Sequence, residues 1–270
     1  MPPRAYIAEF AGTFAWVFIS AAAVLADAIA PTLNMPRIGP IGVALVVGFS
    51  YAGLLAATVP LSGGFLNPAV TLALWVFHRL DTGRALALAA VQFTGAAVGG
   101  LAVRGLLNLR QDAVIAARLG TPHLNVDAFG VSHVGPGVLV QGMGIEAVLT
   151  FALVLVLLAV YFDPRSDQLL GGFARRWANV AVGLLVAAQT LAAGNLTGAA
   201  TNPARWFGTV IWELTLPELE VRQPLADHAV YWVGPTIGAL LAGIIYHYLI
   251  LPGQKRGTSL LDPPAAAGGR

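Results

Sequence analysis

The segment Ser62-Gly63-Gly64-Phe65-Leu66-Asn67-Pro68-Ala69 returns 135 positions later as Thr197-Gly198-Ala199-Ala200-Thr201-Asn202-Pro203-Ala204. Two further landmarks repeat at nearly the same offset. Glu9 is matched by Glu146, and Gly95-x-x-x-Gly99 by Gly234-x-x-x-Gly238. An internal repeat of about half the chain means two copies of one structural unit, and any fold must accommodate both.

The medium of that fold follows from composition. Of 270 residues, 57% are hydrophobic and only 10% charged, with mean hydropathy +0.75. A water-soluble domain carries roughly 25% charged residues. This chain cannot cover a water-facing surface of its own size, but a lipid-facing surface removes the need. Six stretches are long and apolar enough to cross a bilayer: about Tyr6 to Ala26, Ile41 to Val59, Arg84 to Val103, Val138 to Val160, Trp177 to Ala193 and His228 to Ile250. The first is read as a retained span, because it contains Glu9 and Thr13. Two shorter apolar stretches follow the Asn-Pro pairs, Pro68 to His78 and Pro203 to Trp212. Ten helical residues reach about 15 Å, half the hydrocarbon thickness. A helix that stops there must be enclosed by protein, since lipid cannot satisfy its exposed backbone. The expectation is two re-entrant half-helices.

Three spans per half is an odd number, so the second half enters the membrane from the opposite face. The halves are inverted repeats related by an axis in the membrane plane. The predicted fold is an all-α membrane protein with six transmembrane helices and two half-helices. It forms one transmembrane domain over 1–252, with repeat halves of about 1–110 and 137–252 joined by an external loop, 111–136. A mobile tail follows at 253–270. Arg4, Arg79, Arg84, Arg165, Arg175, Arg176, Lys255, Arg256 and Arg270 fall on the side of the termini. Arg37, Arg104, Arg110, Arg118 and Arg222 fall on the other. The excess places both termini in the cytoplasm, in a multi-pass protein of the cell (inner) membrane.

The opposed half-helices bring Asn67 and Asn202 together near the midplane. Asn is a good N-cap, and Pro at the next position gives up only an orphan N–H. If backbone and neighbours hold the cap, each amide NH2 can point into a pore as a donor. Each helix N-terminus adds about half a positive charge. Together they repel cations and orient a water oxygen towards the middle, which interrupts a proton wire.

These motifs resemble those of the aquaporin, or major intrinsic protein, family. The resemblance runs from Ala8-Glu9-Phe10-Ala11-Gly12-Thr13-Phe14 through Val233-Gly234-Pro235. Its specific marks are Asn67-Pro68-Ala69-Val70-Thr71 and Asn202-Pro203-Ala204-Arg205. It implies a homotetramer in a lipid bilayer, each subunit with its own pore for water and small uncharged solutes (the glycerol, urea and hydrogen peroxide class), excluding protons and ions. It further implies that Arg205 lines a selectivity constriction on the extracellular side, with Val47, Thr190 and Ala199 as the other positions. It implies that Glu9 and Glu146 accept hydrogen bonds from the re-entrant loops.

The chain departs from the family's common patterns. Water-selective members usually carry a large aromatic and a His at the first two constriction positions, and glycerol facilitators usually have aromatics at two; Val47, Thr190 and Ala199 supply neither. The implied constriction is wide. Tyr231-Trp232 resembles the aromatic pair of water-type members, and Trp206 stands where glycerol facilitators often have an acid. A strict water pore therefore stays open as an alternative. Phe65 occupies a position often held by His. It either packs on a neighbouring helix or narrows the cytoplasmic half of the pore.

An inverted-repeat secondary transporter is the alternative of another class. It needs a coupling carboxylate, for which only Glu9 and Glu146 qualify. No cofactor is expected. The absence of cysteine excludes disulfides and thiolate chemistry, and His78, His123, His133, His228 and His247 show no metal-ligand spacing. His123 and His133, in the long external loop, are expected to be solvated, and no carboxylate pair is expected beyond Glu9 and Glu146. No catalytic constellation and no basic cluster dense enough for nucleic acid is present, so neither an enzyme nor a nucleic-acid partner is predicted.

Overall fold

The computed structural model describes residues 1–107, 114–115, 117–163, 173–217 and 223–250, with side chains from 177 onward in the fourth of these segments. The expected tail at 253–270, part of the external loop, and Arg110, Arg165, Arg222, Lys255, Arg256 and Arg270 lie outside the described residues. So do the side chains of Arg175 and Arg176.

Among the described residues, eight α-helices carry the fold. Full-length helices are α1 (Pro3–Ile29), α2 (Gly39–Ser62), α4 (Thr82–Leu106), α5 (Pro136–Leu157), α6 (Phe173–Thr197) and α8 (His228–Ile244). Short ones are α3 (Pro68–Val76), with 9 residues, and α7 (Pro203–Glu213), with 11. Among the described residues, six helical stretches are long and apolar enough to span a bilayer. They match the expected spans with small extensions. Short π-helical turns at Leu158–Phe162 and Ile245–Ile250 lengthen α5 and α8. The half-helices measure about 14 and 17 Å at 1.5 Å per residue, too short to cross.

Large apolar side chains remain on the outer faces. Ile7, Leu86, Val140 and Val148 are each more than 60% exposed. In water such a surface is a liability, whereas in hydrocarbon it is the expected covering. The polar groups are inside: Glu9, Gln92, Glu146, Thr150 and Asn202 have no exposed surface.

Small residues let the helices close around this polar interior. A Cβ on Gly95 would lie 2.4 Å from the Phe10 carbonyl oxygen, and one on Gly99 2.7 Å from that of Phe14, so α4 crosses α1 at backbone contact. The second half repeats the device. Gly234 and Gly238 of α8 press on α5, where a Cβ on Gly238 would lie 2.1 Å from the Ala147 oxygen. The Gly-x-x-x-Gly pairs are thus close helix crossings. A third crossing joins the halves. Gly48 of α2 and Gly183 of α6 face each other. A Cβ on Gly48 would lie 2.3 Å from the Gly183 carbonyl oxygen, and one on Gly183 2.6 Å from that of Gly48. This crossing lies beside Val47 and two turns from Thr190.

Candidate functional site

The two half-helices meet through their N-termini. Asn67 Oδ1 accepts the Ala69 N–H at 2.9 Å, and Asn202 Oδ1 accepts the Ala204 N–H at 2.9 Å and the Arg205 N–H at 3.4 Å. The cap is therefore held by the side chain itself, not by backbone and neighbours as expected. The amide nitrogens reach across the junction. Asn67 Nδ2 donates to the Thr201 carbonyl and Asn202 Nδ2 to the Leu66 carbonyl, both at 2.8 Å. Each amide has two N–H groups, and one of them fastens the opposite loop.

This exchange requires Leu66 and Thr201 to turn their carbonyls inward. Both adopt left-handed backbone, with φ of 48° and 50°, a conformation rare outside Gly, Asn and Asp. The buried carboxylates hold them there. Glu9 Oε2 accepts the Leu66 N–H at 2.7 Å, while Oε1 accepts the Phe65 N–H at 2.9 Å and the Ser62 hydroxyl at 2.6 Å. Glu146 repeats the pattern with Thr201, Ala200 and Thr197, at 2.7, 2.9 and 2.6 Å. Gln92 Nε2 donates a further bond to Glu9 Oε2 at 2.8 Å. With every oxygen occupied by fixed donors, these carboxylates are placed as loop clamps.

Arg205, on the first turn of α7, is 4% exposed. Its Nη1 donates to the carbonyls of Gly198 and Ala199 at 3.0 and 3.3 Å, and its Nε to Ser20 Oγ at 3.4 Å. Nη2 has no protein partner among the described residues. The guanidinium is thus oriented by the loop that contains Ala199. Val47, Thr190 and Ala199 are 1%, 8% and 6% exposed. The Thr190 hydroxyl donates to the Val186 carbonyl at 2.9 Å. Phe65 is buried, its ring over Gly63 and 6.5 Å from the Phe162 ring at the end of α5.

A second cluster corrects the reading of the external loop. His123 is buried, its side chain 7% exposed, whereas His133 is exposed as expected. The Nε2 of His123 lies 2.7 Å from Glu213 Oε2 at the end of α7, and its Nδ1 3.0 Å from Asp227 Oδ2 before α8. Arg118 Nε donates to the other Glu213 oxygen at 2.6 Å, and Asp227 also accepts the Leu124 N–H at 2.8 Å. Glu213 and Asp227 form a carboxylate pair that sequence distance concealed. Neither falls near His123 in the chain, and no spacing pattern relates the three. Burial alone would lower the pKa of His123, but hydrogen bonds and charge from Asp227 and Glu213 outweigh it and raise the value above 6.5.

These clamps have measurable consequences. Glu146→Ala strands three buried donors, each worth about 1–3 kcal/mol when unsatisfied. It is expected to lower the thermal unfolding midpoint of the purified protein sharply, with most water flux lost in proteoliposomes; a midpoint equal to wild type would contradict the clamp. For His123 the folded pKa is raised. Its contribution is therefore complete below the unfolded value of about 6.5 and fades as pH climbs through the higher folded value. The unfolding midpoint of wild type should fall between about pH 6 and about pH 9 by more than that of His123→Gln.

This arrangement has counterparts in known proteins. The profile of the family described as Major intrinsic protein matches residues 2–246. The chain is 34% identical to a protein named probable aquaporin TIP4-1 of Oryza sativa subsp. japonica, over 96% of this chain and 91% of the relative. It is 34% identical to aquaporin-1 of Homo sapiens, over 96% and 85% respectively. Among solved structures it is similar to the aquaglyceroporin from Plasmodium falciparum, with a TM-score of 0.70 and 25% identity, covering 92% of this chain and 97% of that one. With a family match over nearly its whole length and the paired half-helices in place, the chain belongs to the major intrinsic protein family.

Proposed function

We propose that the protein is a passive, non-enzymatic channel for water and small uncharged solutes, of the glycerol, urea and hydrogen peroxide size class. The observation that carries this reading is the meeting of two half-helix N-termini, with Asn67 and Asn202 fastened across the junction. Each terminus presents about half a positive charge, and the two fields add at the centre. A cation entering there is repelled, and a water molecule is held by its oxygen with both hydrogens facing outward. Such a water cannot readily accept a proton from a neighbour, so proton hopping is broken while water passes. Arg205 adds a fixed positive charge, with Val47, Thr190 and Ala199 as the other constriction positions. Phe65 narrows the opposite half of the path. The channel domain spans 1–252 and assembles as a homotetramer in the cell (inner) membrane, with both termini cytoplasmic; the arginine distribution supports that orientation.

A strict water pore is the second reading. It is favoured by the low exposure of the constriction positions, none above 8%. A coupled transporter is disfavoured, because each oxygen of Glu9 and Glu146 already accepts from a fixed loop or side-chain donor, which commits both carboxylates to holding the loops.

Stopped-flow light scattering on proteoliposomes tests these readings. Fast shrinkage under an impermeant osmolyte, followed by re-swelling under glycerol or urea, is expected for wild type. Val47→Trp should suppress the re-swelling, and Phe65→Ala should raise water permeability. Shrinkage without re-swelling means a strict water pore, and flux no greater than in empty liposomes removes the channel reading.

A further inference from the structure

The inner stripe of α1 carries Glu9, Thr13, Trp16 and Ser20 at helical spacing, all buried. Its two ends reach the two parts of the site. Glu9 holds the loop before α3, and Ser20 accepts from Arg205. Trp16 lies one turn, about 6 Å, from Ser20 on the side towards the half-helix junction.

The Trp16 indole makes three separate contacts with elements that surround the constriction. Nε1 donates to the Val47 carbonyl of α2 at 3.3 Å. The ring packs against Tyr51, one turn further along α2, with centroids 4.8 Å apart at 53°. Arg205 Cζ of α7 lies 5.7 Å from the ring centroid, within the range of a cation–π contact. The indole is 2% exposed. Its only N–H is committed to Val47, so what it can offer a solute is an apolar ring, alongside the donors of Arg205. Tyr51 Oη is buried without a hydrogen-bond partner among the described residues. It is a polar group available next to that ring.

We propose that Trp16 is a specificity-determining residue of the pore. From the first helix it supplies the aromatic wall that Val47 does not, and it grades neutral solutes by cross-section. The inference rests on the channel reading above. A water molecule needs only the donors of Arg205 and a narrow gap. A polyol or urea passes more slowly through the gap that the indole narrows, and replacing the ring by a methyl group widens it. The cation–π contact gives the wall a second task. It holds the guanidinium against the ring, so that removing the ring loosens Arg205 as well as widening the gap.

The test compares wild type, Trp16→Phe and Trp16→Ala in proteoliposomes, each checked for correct assembly by size exclusion. The readout is the ratio of glycerol permeability to water permeability, which a role in packing alone does not move. A severalfold rise is expected for Trp16→Ala. A smaller rise is expected for Trp16→Phe, which keeps an apolar ring but loses the bond to Val47. If Trp16→Ala does not assemble, the Phe variant decides by the same ratio. Assembled variants that conduct water with the wild-type ratio overturn the proposal and leave the channel reading standing. A wild-type protein that conducts no water removes the channel reading, and the proposal falls with it.

Discussion

Two asparagine amides, each bonded to the backbone of the opposite loop, hold the centre of this protein. Asn67 grips the Thr201 carbonyl and Asn202 grips the Leu66 carbonyl. Half-helices that stop inside a membrane expose N–H groups at their starts, and lipid offers those groups nothing. The cross-bonds, the caps and the two buried glutamates together give the loops an internal set of partners. They also stabilise Leu66 and Thr201 in a backbone conformation neither residue favours. Strain of that kind, on the order of 1–3 kcal/mol per residue, persists only where the surroundings over-determine it. Here a carboxylate oxygen fixes the N–H of each strained residue and an amide fixes its carbonyl.

The helices around this centre are arranged to make it possible. Glycines at matching positions in the two halves bring α4 onto α1 and α8 onto α5 at backbone contact. Without side chains at these crossings, Glu9 and Glu146 come close enough to reach loops more than fifty residues away. A further crossing, Gly48 against Gly183, ties the halves together beside Val47. The apolar outer faces require only lipid.

Symmetry explains the framework, and the departures from symmetry explain what is particular to this chain. Arg205 follows the second Asn-Pro-Ala, where Val70 follows the first. Gln92 supports Glu9, while the Tyr231 hydroxyl donates to the Thr197 carbonyl in the other half. Among the described residues the His123 clamp has one copy. It joins the segment before α5 to the end of α7 and the start of α8. A protonated imidazole between two carboxylates suits that task, because each ring N–H finds a charged acceptor.

The sequence by itself determined the repeat, the six spans, the two half-helices and their inverted relation. Those features rest on local rules: apolar length, Asn-Pro at a helix start, and an odd number of crossings per half. Glu9 and Glu146 stood out as ionisable residues within apolar spans, and the family resemblance, not a local rule, pointed them to the loops. Tertiary structure decided the rest. Nothing in the chain announces that Asn67 spends one N–H on Thr201, since that bond links residues 134 positions apart. The His123, Glu213 and Asp227 cluster joins three segments with no common spacing. Trp16 left a trace in its helical register with Glu9 and Ser20. Its contacts with Val47, Tyr51 and Arg205 nevertheless depend on how α1, α2 and α7 converge. Local rules act along the chain over a few residues, whereas the composition of a pore wall is set by whichever faces the packing turns inward.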